Sequence, residues 1–138
     1  MTEYKSIIVD NPIEKISRIT LNRPNKRNSL SANLRSELFE VLENNDQDEN
    51  ISATIIRGSG KAFSAGYDLT KDPEEKDPYY SAGGLGYWPR HVVDGCFKIW
   101  DLAKPVIAQV HGYCLAGGTE LAQSVSYTHL TLPTTLVV

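Results

Sequence analysis

The chain has 138 residues, 41% of them hydrophobic and 22% charged, the profile of one globular domain able to bury roughly two-thirds of its unfolded surface. A formal charge of -3 argues against a general nucleic-acid binder, because phosphate affinity rests on clustered Lys and Arg. No apolar run approaches the roughly 20 residues of a membrane-spanning helix.

In chain order, Ser6 to Val9 and Ile16 to Leu21 are β-branched-rich segments around Asp10-Asn11-Pro12, which predicts two strands joined by a turn. Asn22 to Asn28 is polar and holds Pro24, so a loop follows, with Ser31 placed to cap a helix. Leu34, Leu38, Val41 and Leu42 recur at helical spacing, with Arg35, Glu37, Glu40 and Glu43 expected mostly on the other face. Asn44 to Asn50 reads as a polar break, and Ser52 to Arg57 as a strand buried on both sides. A βαβ crossover and an α/β fold follow.

Lys71 to Arg90 carries Pro, Gly, Tyr and charge without a period, the pattern of a surface excursion or lid whose aromatics Tyr79, Tyr80, Tyr87 and Trp88 could close over a ligand. His91 to Leu102 has a wide apolar helical face formed by Val92, Cys96 and Ile99 with Val93, Phe97 and Trp100, and Lys104-Pro105 stops it. Val106 to Val110 is a further buried strand, His111-Gly112 turns the chain, and Thr119 to Ala122 are helix formers.

Cys96 and Cys114 form neither a CxxC nor a zinc spacing, so free thiols in a reducing compartment are expected. Residues Met1 to Lys5 have neither the apolar core of a signal peptide nor the Arg-rich character of a transit peptide, which predicts a cytoplasmic protein.

Two segments of small residues and Gly leave strands: Phe63 to Asp68 and Leu115 to Glu120. Backbone N–H groups at such exits can bind an anion, because Gly permits close approach. One Gly turn is ordinary backbone geometry, but a pair supplies the two donors an oxyanion hole requires. Arg57 to Lys61 has the flavour of a phosphate loop, yet Ile55 stands where the first Gly belongs and Ala62 where Ser or Thr should hold magnesium.

Three signatures occur in order: Ile19 to Pro24 with Asn28-Ser29-Leu30; Gly60 to Leu69; and Lys104 to Ala108 with Gly112 and Gly117 to Ala122. Together they resemble the enoyl-CoA hydratase/isomerase (crotonase) family across Ile16 to about Gln123. The resemblance implies an α/β spiral of ββα turns, here truncated, and an acyl-CoA thioester substrate, with no metal or separate cofactor because CoA belongs to the substrate. It also implies a parent that assembles as a homotrimer or hexamer. The backbone N–H groups of Tyr67 and Gly117 would stabilise the thioester enolate, and Glu120 would act as general acid or base, which suits a helix carboxylate facing an apolar pocket. Ala65 would present its carbonyl to the adenine of CoA, and Gly66, Asp68 and Gly118 complete the substrate-binding set. For Asp68 bracing the turn is the preferred reading, and for His111 a turn role. Lys61 and Arg23 are candidates for CoA phosphates, with solvated surface as their default, and Cys114 is expected to be packed and inert.

Ala116 stands where the family often has a first Gly, which a negative φ would accommodate. Beyond Gln123 the pattern is lost. Val125 to Thr134 matches, residue for residue, the translation of a transposon adapter from sequencing libraries, GTC TCT TAT ACA CAT CTG ACG CTG CCG ACG. Residues 125–138 are therefore expected to be a non-family tail in which His129 has no function. The family's second carboxylate is missing, so the truncated chain itself is expected to be inactive. Isomerase or carbon–carbon hydrolase chemistry, or non-catalytic acyl-CoA binding, are the alternatives.

Overall fold

A computed structural model describes residues 3–70, 72–80 and 87–131. Strands β1 (Ile7–Ile13) and β2 (Ile16–Leu21) form an antiparallel hairpin. Its turn lies four residues later than Asp10-Asn11-Pro12 suggested, at Glu14-Lys15, with Lys15 at φ 62°. A register shift between Asp10 and Ile13 absorbs Pro12, which an edge strand tolerates because one row of its N–H groups needs no ladder partner. Arg18 Nε donates to Asp10 Oδ1 at 2.9 Å across the pair.

A short 3₁₀ turn, Pro24–Lys26, leads to α1 (Ala32–Gln47). Ser31 caps α1 as expected, its hydroxyl accepting from Leu34 N–H at 3.2 Å, a contact typically worth about 1 kcal/mol. Leu34, Leu38, Val41 and Leu42 are buried. Arg35 and Glu37 are buried too, against expectation. Glu37 accepts the N–H groups of Lys5 and Ser6, each at 2.8 Å, and so anchors the chain entering β1. The helix also runs on through Asn44 to Gln47, because that polar turn has tertiary partners: Asn45 donates to Thr54 Oγ1 and Asp46 accepts Lys104 N–H.

Three ββα units then become visible. The first is β1-β2-α1; the second is β3 (Ala53–Gly58), β4 (Ala62–Ser64) and α2 (Tyr87–Trp100); the third is β5 (Val106–His111), β6 (Tyr113–Cys114) and α3 (Gly117–Gln123). With a last strand, β7 (Tyr127–Thr131), the first sheet has the order β1-β2-β3-β5-β7, parallel from β2 onward, and β4 and β6 form a second parallel pair. The fold is α/β, and the repeat of two strands and a helix is the expected spiral.

Core residues Ile19, Leu21, Ile56 and Ala108 of the first sheet pack with Leu34, Leu38 and Leu42 of α1 and Leu121 of α3. Strand β3 alternates buried and half-buried residues instead of burying both faces. Helix α2 starts at Tyr87, earlier than the sequence suggested. Ile99 is buried, whereas Val93, Phe97 and Trp100 are 47%, 48% and 65% exposed, so half of the expected apolar face has no cover among the described residues. Lys71 and residues 81–86 of the expected excursion, and the side chains of Tyr87, Trp88 and Val92, lie outside the described residues. Tyr80 stacks edge-on against Phe39 at 4.9 Å, and Tyr79 donates its hydroxyl to Glu43 at 2.7 Å.

Residues 127–131, within the segment set apart above as a tail, form β7 (Tyr127–Thr131) beside β5. Tyr, Thr and Leu are good strand formers, and the edge of β5 offers open backbone groups. Tyr127 and Leu130 remain about 60% exposed.

Candidate active site

Parallel pairing of β4 and β6 determines where the site lies. Ser64 is opposite Cys114, and Tyr67 and Gly117 each come three residues later. Both exits therefore leave the sheet in the same direction and at the same level. Leu115 N–H donates to Ser64 O at 3.0 Å and ties the exits together.

The first exit is held from the other side by Leu30, whose N–H donates to Gly66 O at 2.8 Å and whose carbonyl accepts Asp68 N–H at 3.2 Å. Extended backbone alternates its polar groups, so with Gly66 and Asp68 turned toward Leu30 the N–H of Tyr67 is turned away from it. Gly66 has φ 103°, and a methyl there would stand 3.0 Å from Leu115 O and 3.2 Å from Gly117 N. Only glycine lets the two exits approach so closely.

At the second exit Ala116 has φ 47° and ψ -119°. Gly118 N–H donates to Leu115 O at 2.8 Å, so Leu115 to Gly118 is a type II′ turn with Ala116 in a position that normally takes glycine. The negative φ expected for Ala116 is thus corrected. The turn rotates the Ala116–Gly117 peptide, and the Gly117 N–H meets no hydrogen-bond acceptor among the described residues. Gly118 presses on β4: a methyl would come within 2.4 Å of Ser64 O. Thr119 Oγ1 donates to Cys114 O at 2.8 Å and locks the turn.

Tyr67 spans the two exits. Its ring lies over Gly117, where a methyl would fall 2.5 Å from two ring carbons, and its hydroxyl donates to Glu120 Oε2 at 2.9 Å. Burial, reinforced by the neighbouring Glu120 carboxylate, pushes the Tyr67 phenol well above its ordinary range, so it stays protonated and acts as the donor. The Arg35 guanidinium sits 5.3 Å from the ring centroid. Glu120 is solvent-exposed, not facing the apolar pocket as anticipated.

Behind the ring runs a narrow, mostly apolar cleft of about 30 Å³, lined by Leu30, Leu38, Phe39, Tyr80, Ile99 and Leu121 with Tyr67, Gly117 and Cys96.

Asp68 braces the turn. Burial alone would raise its carboxyl, but the Thr70 N–H at 2.9 Å and Arg23 Nη2 at 2.8 Å more than offset this and hold it at about 2. Arg23 also donates to Ser29 O at 2.6 Å and is engaged in this brace. Lys61 is exposed, and Ala65 donates its N–H to Arg27 O at 2.9 Å. His111 Nε2 meets Gly60 O at 2.8 Å, a turn contact. Cys96 and Cys114 are free, and burial raises the Cys114 thiol. Among the described residues no three His, Cys, Asp or Glu side chains converge on a common point, and no helix is long and apolar enough to cross a membrane.

Two residues of the site's framework escaped sequence reasoning. Arg35 carried no signal, being a charged residue in an amphipathic helix. Asn28 did carry one: it lies in the first signature, has φ 53°, is fully buried, and donates to both Ser59 O and Ala62 O at 2.8 Å.

The enoyl-CoA hydratase/isomerase family model matches residues 13–130. Carnitinyl-CoA dehydratase of Citrobacter koseri is 41% identical over 113 residues, covering 81% of this chain and 41% of that protein. A probable enoyl-CoA hydratase of Rhizobium meliloti is 39% identical over 121 residues, covering 86% and 43%. The crystal structure of an enoyl-CoA hydratase/isomerase from Xanthobacter autotrophicus Py2 superposes with a TM-score of 0.77 at 34% identity, covering 93% of this chain and 46% of that one. The chain thus spans less than half the length of these relatives. By the extent of the family match and the shared fold, the chain belongs to the enoyl-CoA hydratase/isomerase family.

Proposed function

We propose that the chain carries the thioester-activating part of an acyl-CoA-processing site, in which the N–H groups of Tyr67 and Gly117 stabilise an enolate-like oxygen and Glu120 moves a proton or positions water beside it. One observation carries this reading: the parallel β4/β6 register delivers the two exits at equal height, with Glu120 one turn along α3. An oxyanion donor is typically worth about 2.7–4 kcal/mol of transition-state stabilisation, provided that it is rigidly held. The turn bond to Gly118, the Thr119 latch and the Leu30 bridge supply that rigidity. The cleft has apolar walls, but its volume of about 30 Å³ is that of a single small group and not of an acyl chain; the carbonyl of Ala65 suits the adenine of CoA. The reaction proposed is water addition to, or proton movement on, a 2-enoyl-CoA. Free Cys96 and Cys114 fit a cytoplasmic setting.

The exposure of Glu120 favours a second reading, acyl-CoA binding without turnover. Isomerisation or carbon–carbon hydrolysis would use the same two donors, and the mouse Delta(3,5)-Delta(2,4)-dienoyl-CoA isomerase, mitochondrial, is 30% identical over 127 residues. Calorimetric titration with a short 2-enoyl-CoA, followed by assay of its hydration in a chain restored to the full length of its relatives, tests the proposal. Binding with turnover that Glu120→Gln abolishes supports the enzyme, binding without turnover supports the binder, and absence of binding defeats both.

A further inference from the structure

The family signature places Tyr67 in the site through its main chain, a role any residue could fill. Its side chain nevertheless makes three specific contacts. The hydroxyl donates to Glu120 Oε2 at 2.9 Å across 53 positions of sequence, the ring covers Gly117, and the Arg35 guanidinium lies 5.3 Å from the ring centroid. We infer that Tyr67 is a positioning residue for Glu120, its phenol selecting the carboxylate's rotamer and its ring clamped between Gly117 and the buried Arg35.

The physical argument starts from Glu120 itself. An exposed glutamate near a helix start samples several rotamers, and holding a side chain of this length in one of them costs rotamer entropy. A proton-transfer group has to be held within hydrogen-bond reach of its target. Among the described residues, the Tyr67 hydroxyl is the side-chain donor to that carboxylate. A phenol can hold it only if its own ring is fixed. Arg35 achieves this from the cleft side: it is only 8% exposed, and its Nε donates to Ser31 O at 3.2 Å, so the cation facing the ring is itself immobile. Cation–π attraction strengthens when the cation is desolvated. The burial that keeps the phenol protonated keeps it a donor over the whole neutral range. Arg35 on α1, Tyr67 at the β4 exit and Glu120 on α3 thus form one chain of contacts across three elements.

This inference rests on the proposed role of Glu120 for its functional meaning, but its geometry is tested without turnover. Three-bond couplings of Glu120 are measured by NMR in the native chain and in Tyr67→Phe, which keeps the ring and loses the hydroxyl. One dominant χ1 rotamer in the native chain, averaging in Tyr67→Phe, is the expected result, and a Glu120 rotamer that persists in Tyr67→Phe overturns the inference. Should Tyr67→Phe fail to fold, Glu120→Gln decides the question instead. The Tyr67 phenol, followed by a ¹³Cζ-tyrosine label, is expected to titrate at lower pH in that variant, and an unchanged titration overturns the inference. Calorimetry with a 2-enoyl-CoA separates the two levels: absence of binding alongside the expected couplings removes the proposed function and leaves the Tyr67–Glu120 arrangement standing.

Discussion

The side-chain amide of Asn28 donates to the carbonyl of Ala62 at 2.8 Å and so fastens the loop after β2 to the first residue of β4. The same amide donates to Ser59 O, its oxygen accepts Arg23 N–H at 2.9 Å, and its own carbonyl accepts the Ser64 hydroxyl at 2.8 Å. One buried side chain thereby sets the position of the strand that carries the first exit. Asn28→Ala leaves the buried Ala62 carbonyl and the half-buried Ser59 carbonyl without these donors, at about 1–3 kcal/mol for a buried group. A loss of about 3 kcal/mol in urea unfolding is expected, and a loss below about 1 kcal/mol argues against this role.

Ala116 offers the opposite case. A non-glycine residue at φ 47°, ψ -119° stores on the order of 1–3 kcal/mol of backbone strain. Ala116→Gly relieves the strain but frees the unfolded chain, so a net gain of about 1 kcal/mol is expected. A rise in the urea midpoint at constant slope is the measurement, and a fall would show that the turn is unstrained.

Gly118 admits no side chain. A methyl 2.4 Å from Ser64 O meets backbone, not the end of a flexible side chain, so α3 must shift away from β4. Gly118→Ala is expected to lower stability by about 3 kcal/mol, at the upper end for overpacking, and to broaden the amide resonance of Gly117. An unaltered Gly117 resonance counts against close docking of α3 on β4.

The Arg23–Asp68 brace predicts acid sensitivity. The folded Asp68 carboxyl sits at about 2, below the roughly 3.9 of an unfolded Asp. Its contribution is therefore complete above about pH 4 and is lost as pH falls toward 2. Side chains in the pair are 21% and 10% exposed, so partial screening leaves a contribution on the order of 1 kcal/mol. Unfolding measured from pH 5 to pH 2 should show this loss in the native chain and a flatter dependence in Asp68→Asn.

The elements whose evidence is local were legible in advance. The i, i+4, i+7 spacing of Leu34, Leu38 and Val41 gave α1 its buried stripe, Ser31 gave its start, and Lys104-Pro105 correctly closed α2. The hairpin turn was misplaced because Pro12 reads as a turn residue until an edge-strand bulge absorbs it. Asn44 to Gln47 reads as a break until Thr54 and Lys104 supply partners. Arg35 and Glu37 read as solvated until one meets the Tyr67 ring and the other the N–H groups of Lys5 and Ser6.

Sequence by itself determined the α/β class, the family signatures and the two glycine-bearing exits, because helix period, strand alternation and glycine tolerance are properties of residues and their near neighbours. Tertiary structure alone decided that the Tyr67 phenol meets Glu120, that Arg35 is buried behind it, and that Ala116 takes a glycine conformation. Those outcomes depend on how β4, β6, α1 and α3 pack. Contacts between residues tens of positions apart follow from packing as a whole, not from any local preference along the chain.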